Sequence, residues 1–260
     1  MTLHIAQFPC LSDNFGVLLH DSVAKITVSI DAPEAGAVTQ ALKANGWTLN
    51  EVWVTHHHAD HVQGIPALRA AYPGLRVLAP ASEADRISAA VGPIDVRLNE
   101  GDDAQLGRST AQVIATPGHT AGHIVYNFAE ENLLFVGDTL FAMGCGRVLE
   151  TSMAVMWNSL MKLAALPGET QVYCGHEYTL ANGRFALSIE PNNAELKSRY
   201  AEVEALRAAG NPSLPTTIAL ELITNPFLRA DEPGVQAAVN MSGADPAAVF
   251  AELRERKNRA

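Results

Sequence analysis

The sequence predicts a layered α/β protein that ends in a small all-helical domain. Three observations predict it. Short apolar runs rich in β-branched and aromatic residues alternate with helix-like segments through the first two-thirds of the chain. Histidine and aspartate clusters fall just past the ends of four of those runs, where α/β proteins build their sites. After His176 the strand-like runs stop and helical spacing takes over.

In chain order, candidate strands cover 16–20, 25–30, 51–55, 75–79, 111–115, 123–128, 132–136 and 170–174, bounded by Gly, Pro, Asn or Asp. Helices are expected over 34–45, 62–71, 82–90 and 152–165. Further on, Leu196, Tyr200, Val203 and Leu206 lie at helical spacing within 192–209, with Gly210 and Pro212 behind them as stop signals. Segment 245–259 opens on Asp245-Pro246, an N-cap followed by proline at the first helical position. No clear strand is visible beyond His176. Residues 1–177 and 178–260 are therefore expected to form two domains, the second helical.

The 260 residues are 48% hydrophobic and 18% charged, ample material for a core. A formal net charge of −10 speaks against nucleic-acid binding, because phosphate backbones attract basic surfaces. It leaves room for a small anionic ligand, which needs only a few well-placed cations. The N-terminus lacks a basic region followed by an apolar run and a small-residue cleavage site. No stretch is long and apolar enough to span a bilayer, so no membrane partner is expected. Cys10, Cys145 and Cys174 are odd in number and widely spaced, which suggests no disulfide framework and fits a cytoplasmic protein.

The chemistry is concentrated in Thr55-His56-His57-His58-Ala59-Asp60-His61. On an extended segment residues two apart project to one side, so His56 and His58 can converge on one metal ion. Asp60 and His61 follow slightly later and are expected to face a second ion. His119, Asp138 and His176 fall just past the runs 111–115, 132–136 and 170–174. Singly, each would more often be structural; four clusters at equivalent places point to one metal-dependent centre. His57 and His123 are expected to support the ligands or the structure, Asp31 to be structural, and Cys145 and Cys174 to be ordinary buried or loop thiols.

These residues resemble the metallo-β-lactamase superfamily, whose signature is the His-x-His-x-Asp-His loop with later His, Asp and His ligands. The resemblance implies an αββα sandwich with the site along one edge. It assigns His56, His58 and His119 to one ion, Asp60, His61 and His176 to a second, and Asp138 to both. Two divalent ions per chain are implied; nitrogen and oxygen ligation suits zinc first, with iron and manganese also suited. Such a pair implies hydrolysis by a metal-bridging hydroxide, with no serine or cysteine nucleophile.

Gly-Asp-Thr-Leu-Phe (137–141), Gly-Cys-Gly-Arg (144–147), Tyr-Cys-Gly-His-Glu-Tyr (173–178) and Thr-Asn-Pro-Phe-Leu-Arg (224–229) together look like the glyoxalase II family. That resemblance, over essentially the whole chain, implies hydrolysis of the thioester S-D-lactoylglutathione to D-lactate and glutathione, the second step of methylglyoxal detoxification. The substrate is a small molecule and a monomer is the expected state. Family glutathione contacts map to Arg147, Tyr178, Arg254 and Lys257, the last two sharing a face of the final helix. Two positions depart from the family pattern: Leu149 stands where a glutathione-contacting tyrosine is familiar, and Arg147 where some relatives carry lysine. The alternatives are a thioesterase or lactonase of the same superfamily with a non-glutathione substrate, and a non-enzymatic metal-binding protein.

Overall fold

The computed structural model describes residues 3–260 and divides into two compact units. Among these residues one comprises 3–115 with 122–137, the other 116–121 with 138–260. This division by compactness is a different cut from one at 177/178.

The first unit holds the strands β1 Leu3–Cys10, β2 Asn14–Asp21 and β3 Ile26–Ile30, then α1 Ala35–Asn45, β4 Glu51–Trp53, α2 Ala59–Val62, α3 Ile65–Ala71, β5 Arg76–Pro80, α4 Ala84–Val91 and β6 Val96–Leu98. β1 to β6 form one sheet in sequence order. β1 to β3 pair antiparallel, and β3 through β6 pair parallel, joined by the helices such connections require. A second group, β7 Asp103–Leu106, β8 Ser109–Ala115, β9 Ile124–Phe128 and β10 Leu133–Gly137, runs as an antiparallel meander.

Period-two alternation in Val52-Trp53-Val54 explains how the layers join. Val52 and Val54 pack in a helix-covered cluster with Val38 and Leu42 of α1, Ile65 and Leu68 of α3, and Ile87 of α4. Trp53 faces the other way. Its ring stacks on Phe128 at 5.9 Å and 4°, and lies 5.3 Å from Tyr126, whose hydroxyl donates to Val54 O at 2.8 Å. Helices, sheet and meander are thus layered in the order the alternation dictates.

The second unit adds the small hairpin β11 Leu140–Phe141 and β12 Gly144–Cys145, then α5 Met153–Ala164, β13 Gln171–Cys174, α6 Thr179–Ile189, α7 Ala194–Ala208, β14 Thr216–Thr217, α8 Ile218–Thr224, α9 Pro233–Ala238 and α10 Pro246–Arg259. The cap of α10 is as the sequence suggests, and two other helices are capped by side chains. Ser152 accepts from Val155 N, Asn193 from Leu196 N, and Asp245 caps α10 with Pro246 behind it. Phe227 stacks on Phe185 at 5.7 Å and meets Phe250 at 6.1 Å, giving this unit its own aromatic core.

The α/β class and the helical C-terminal part are as expected, and the differences are local. β14 interrupts the expected all-helical tail; two residues are too short for an alternation to show, and the strand exists because Val172 and Gln171 pair with it. β1 is a full strand that the N-terminal sequence did not announce. The helix expected over 62–71 begins earlier, at Ala59, and breaks at Gly64, where a Cβ would lie 2.7 Å from Ala32 O. Pro66 then restarts it as α3.

Candidate metal centre

The His-x-His-x-Asp-His segment leaves β4 in extended form and turns helical at Ala59, with His58 as the N-cap at φ −61°, ψ 146°. That switch places the two pairs of donors differently. His56 and His58 lie on the extended part, with His56 Nε2 3.1 Å from His58 Nδ1. Asp60 and His61 lie on the helical turn, with His61 Nε2 3.8 Å from Asp60 Oδ2. The His56 and His61 rings are 4.1 Å apart between centroids, so all four donors crowd one corner of the first unit.

Asp60 and His61 are oriented from behind. Asp31 Oδ2 accepts from His61 Nδ1 at 2.7 Å and from Thr55 Oγ1 at 2.8 Å, while its Oδ1 accepts from Thr55 N at 2.8 Å. A proton held at Nδ1 leaves His61 Nε2 as the lone-pair nitrogen, the form a metal takes. Asn14, on β2, donates to both the backbone and the carboxylate of Asp60 at 3.2 Å. Gly137 backs this corner at φ +46°; a Cβ there would lie 2.6 Å from Thr55 Oγ1 and 2.8 Å from His123 Nε2. His123 is fully buried and stacks on His56 at 4.8 Å. His57 is held by Glu83, whose Oε2 accepts from its backbone N–H and pairs with its Nδ1, and its ring lies 4.8 Å from that of His58.

The second unit carries its own donor set. His119 Nε2 and His176 Nε2 each lie 3.4 Å from the same oxygen, Asp138 Oδ2. His119 donates from Nδ1 to Arg147 O at 2.9 Å, so its Nε2 is again the lone-pair atom. His176 is stacked face to face with Tyr178 at 4.7 Å and 4°. Imidazole nitrogens with fixed tautomers beside a carboxylate fit hard or borderline divalent ions. The thiols do not enter. All three cysteines are buried, and burial pushes Cys145 and Cys174 up and Cys10 to about 12, away from thiolate chemistry.

The expected substrate contacts are placed as follows. Arg147 is exposed, and Tyr178 is partly exposed beside His176. Arg254 differs from a solvated helix-end cation: it is 4% exposed, donates to Cys145 O at 2.8 Å, and lies 5.2 Å over the Phe227 ring. Lys257 donates to Ala181 O at 2.9 Å and lies 5.5 Å over Phe185. Burial, then the charges of Arg254, Arg184 and Arg147, hold its ammonium below the usual lysine range. These four cations therefore form one basic group in an acidic chain. Leu149 is 57% exposed.

Sequence reasoning missed the role of Asn14, Glu83 and Arg184, and treated Asp31 as merely structural. Asp31 had a visible signal, an acid immediately after a strand; Asn14 and Arg184 had none.

Comparison with known proteins agrees over the whole length. Residues 30–176 match the metallo-β-lactamase superfamily, and residues 177–260 match the hydroxyacylglutathione hydrolase C-terminus. Hydroxyacylglutathione hydrolases of Rhodopseudomonas palustris and Nitrobacter hamburgensis are each 51% identical over 259 residues, covering 100% of both chains. Among solved structures, ETHE1 from Myxococcus xanthus superposes with a TM-score of 0.66 at 26% identity, covering 99% of this chain and 98% of that one. The BLEG-1 B3 metallo-β-lactamase gives 0.66 at 23% identity over 86% of this chain and 99% of its own, a likeness of fold. The superfamily match and the His/Asp clusters support a binuclear divalent-metal centre. The chain belongs to the hydroxyacylglutathione hydrolase (glyoxalase II) family of the metallo-β-lactamase superfamily.

Proposed function

We propose that the chain hydrolyses S-D-lactoylglutathione to D-lactate and glutathione. The observation that carries this is full-length identity of 51% to hydroxyacylglutathione hydrolases. The cations Arg147, Arg184, Arg254 and Lys257 support it, because glutathione carries two carboxylates. A thioesterase or lactonase for another substrate is not favoured by those relatives.

In this reading His56, His58 and His119 would hold one ion, Asp60, His61 and His176 the other, with Asp138 available to both. Zinc is the proposed metal, and a cytoplasmic monomer the proposed state. Among the described residues no helix is long and apolar enough to cross a membrane. Residues 1–177 form the catalytic part and 178–260 the substrate-binding part, a boundary supported by the change of family match after residue 176. Two divalent ions so held supply an activated water and an electrophile for the thioester carbonyl.

The chain's own residues do the rest. Asp31 and the Arg147 carbonyl fix the protons of His61 and His119 at Nδ1. Arg147, Arg254 and Lys257 orient the glutathione carboxylates, and Tyr178 offers its hydroxyl beside His176. The oxygen of water bonds to the carbonyl carbon, the C–S bond then breaks with its electron pair on sulfur, and the two protons of that water end on the thiol and in solvent. The departing thiolate is a good leaving group, so no dedicated proton donor is needed.

The test is turnover of S-D-lactoylglutathione beside other acyl thioesters and acyl-homoserine lactones, with elemental analysis of the same sample. Asp138→Ala is expected to lower metal content and kcat together, and Lys257→Ala chiefly to raise KM. A metal-replete sample that spares S-D-lactoylglutathione would sink the assignment.

A further inference from the structure

The hairpin β11–β12 runs between Asp138 and Arg147, and its register pairs Leu140 with Cys145 and Phe141 with Gly144. Two pairs of residues cannot hold a hairpin by themselves. At its tip Met143 sits at φ 55°, a left-handed conformation that is unfavourable for a residue with a Cβ. Something else fixes it.

That support comes from the C-terminal helices. Glu221 Oε2, on α8, accepts from Met143 N at 2.8 Å. Asn225 Nδ2, just past α8, donates to Gly144 O at 2.9 Å and Phe141 O at 3.3 Å, and to Glu221 Oε2 at 2.9 Å. Asn182 on α6 donates to Ala142 O at 3.2 Å, and Arg254 on α10 to Cys145 O at 2.8 Å. Thr216 Oγ1 donates to the second Glu221 oxygen at 2.6 Å. Asn182, Glu221, Asn225 and Arg254 are all buried. The fit has no slack, since a Cβ on Gly144 would lie 2.4 Å from Asn182 Nδ2.

Both ends of the hairpin lead to metal donors. Asp138 enters it directly, and Gly146 N donates to Thr139 O at 3.1 Å to close the base. A Cβ on Gly146 would lie 1.9 Å from Asp138 O, so the two backbones meet as only glycine permits. At the far end Arg147 O accepts from His119 Nδ1. A buried polar network of this kind specifies one geometry where a hydrocarbon core would only add stability.

We propose that Glu221 and Asn225, aided by Asn182 and Arg254, are positioning residues for the metal centre. They set the hairpin, and the hairpin sets the Asp138 carboxylate and, through the Arg147 carbonyl, the His119 tautomer. The proposal rests on the assignment of Asp138 and His119 as metal donors. The helical C-terminal segment thereby shapes the metal centre as well as the substrate site.

The test uses full-length Asn225→Ala and the similarly sized Glu221→Met, which removes both acceptor oxygens and keeps the volume should the first variant fold poorly. Apo protein is titrated with zinc against a chelator, and the visible spectrum of the cobalt-loaded protein is recorded. Zinc affinity is expected to fall by about tenfold or more, as when an outer partner of a ligand is lost, and the cobalt spectrum to change. With substrate, kcat falls while KM stays within about twofold. Ser152→Ala removes the α5 cap that accepts from Val155 N at 3.3 Å, lowers stability, and supplies the matched comparison for destabilisation alone. It is expected to leave affinity and spectrum unchanged. If Asn225→Ala and Glu221→Met behave as Ser152→Ala does, the network is only structural and the proposal is overturned. Affinity and spectrum are read without substrate, so failure of the wild-type protein to hydrolyse S-D-lactoylglutathione would count against the activity and leave this test standing.

Discussion

Asp31→Asn isolates what the carboxylate behind His61 contributes. In the native chain Oδ1 accepts from Thr55 N, and Oδ2 accepts from Thr55 Oγ1 and His61 Nδ1. An amide has one acceptor. If its oxygen stays on Thr55 N, its NH2 faces His61 Nδ1, which must then accept; the ring proton moves to Nε2, the atom 3.8 Å from Asp60 Oδ2. If the amide flips, Thr55 N meets a donor and loses a buried hydrogen bond. Either way His61 loses a bond to a charged group, worth about 1.5–3 kcal/mol. Loss of an outer partner of a metal-binding histidine costs about 10- to 100-fold in metal affinity, or about 1.4–2.8 kcal/mol at 1.4 kcal/mol per tenfold. The two ranges agree. The assay is chelator-competition titration of the apo variant, with thermal unfolding of the apo forms as a check on the fold. Wild-type affinity for both ions in a folded Asp31→Asn protein would refute the tautomer argument.

Other outcomes follow from the same geometry. Lys257 has a lowered pKa, so the folded protein holds that charge at a cost, relieved as pH rises from the folded pKa toward the unfolded value of about 10.4. KM for the anionic thioester is therefore expected to rise with pH before that value is reached; Lys257→Ala should start higher and lack this rise, and a flat wild-type profile would contradict the role. Leu149→Tyr offers a hydroxyl at a 57% exposed position and is expected to lower KM by about 2- to 10-fold, the yield of one hydrogen bond of 0.5–1.5 kcal/mol; unchanged KM would mean the position does not reach substrate. Trp53→Ala empties the space between Phe128 and Tyr126 and should cost about 3–5 kcal/mol in urea unfolding. A loss below about 1 kcal/mol would mean that the layers do not depend on that ring.

What the sequence by itself determined was whatever is local and periodic. The strand-like run 51–55, the Asp245-Pro246 start of α10, and seven candidate donors each just past a strand-like run were readable because each is fixed by near neighbours in the chain. Substrate class was readable only through motif resemblance, since Arg147, Tyr178 and Lys257 are unremarkable residues taken one at a time. The tertiary structure decided what depends on distant neighbours. Asp31 reaches His61 across 30 residues, Asn14 reaches Asp60 across 46, and Arg254 reaches Cys145 across 109. A hydrogen bond has no sequence period, so nothing in the chain announces these pairs; only folding brings donor and acceptor together. The donors were therefore legible in the chain, and what aims them was not.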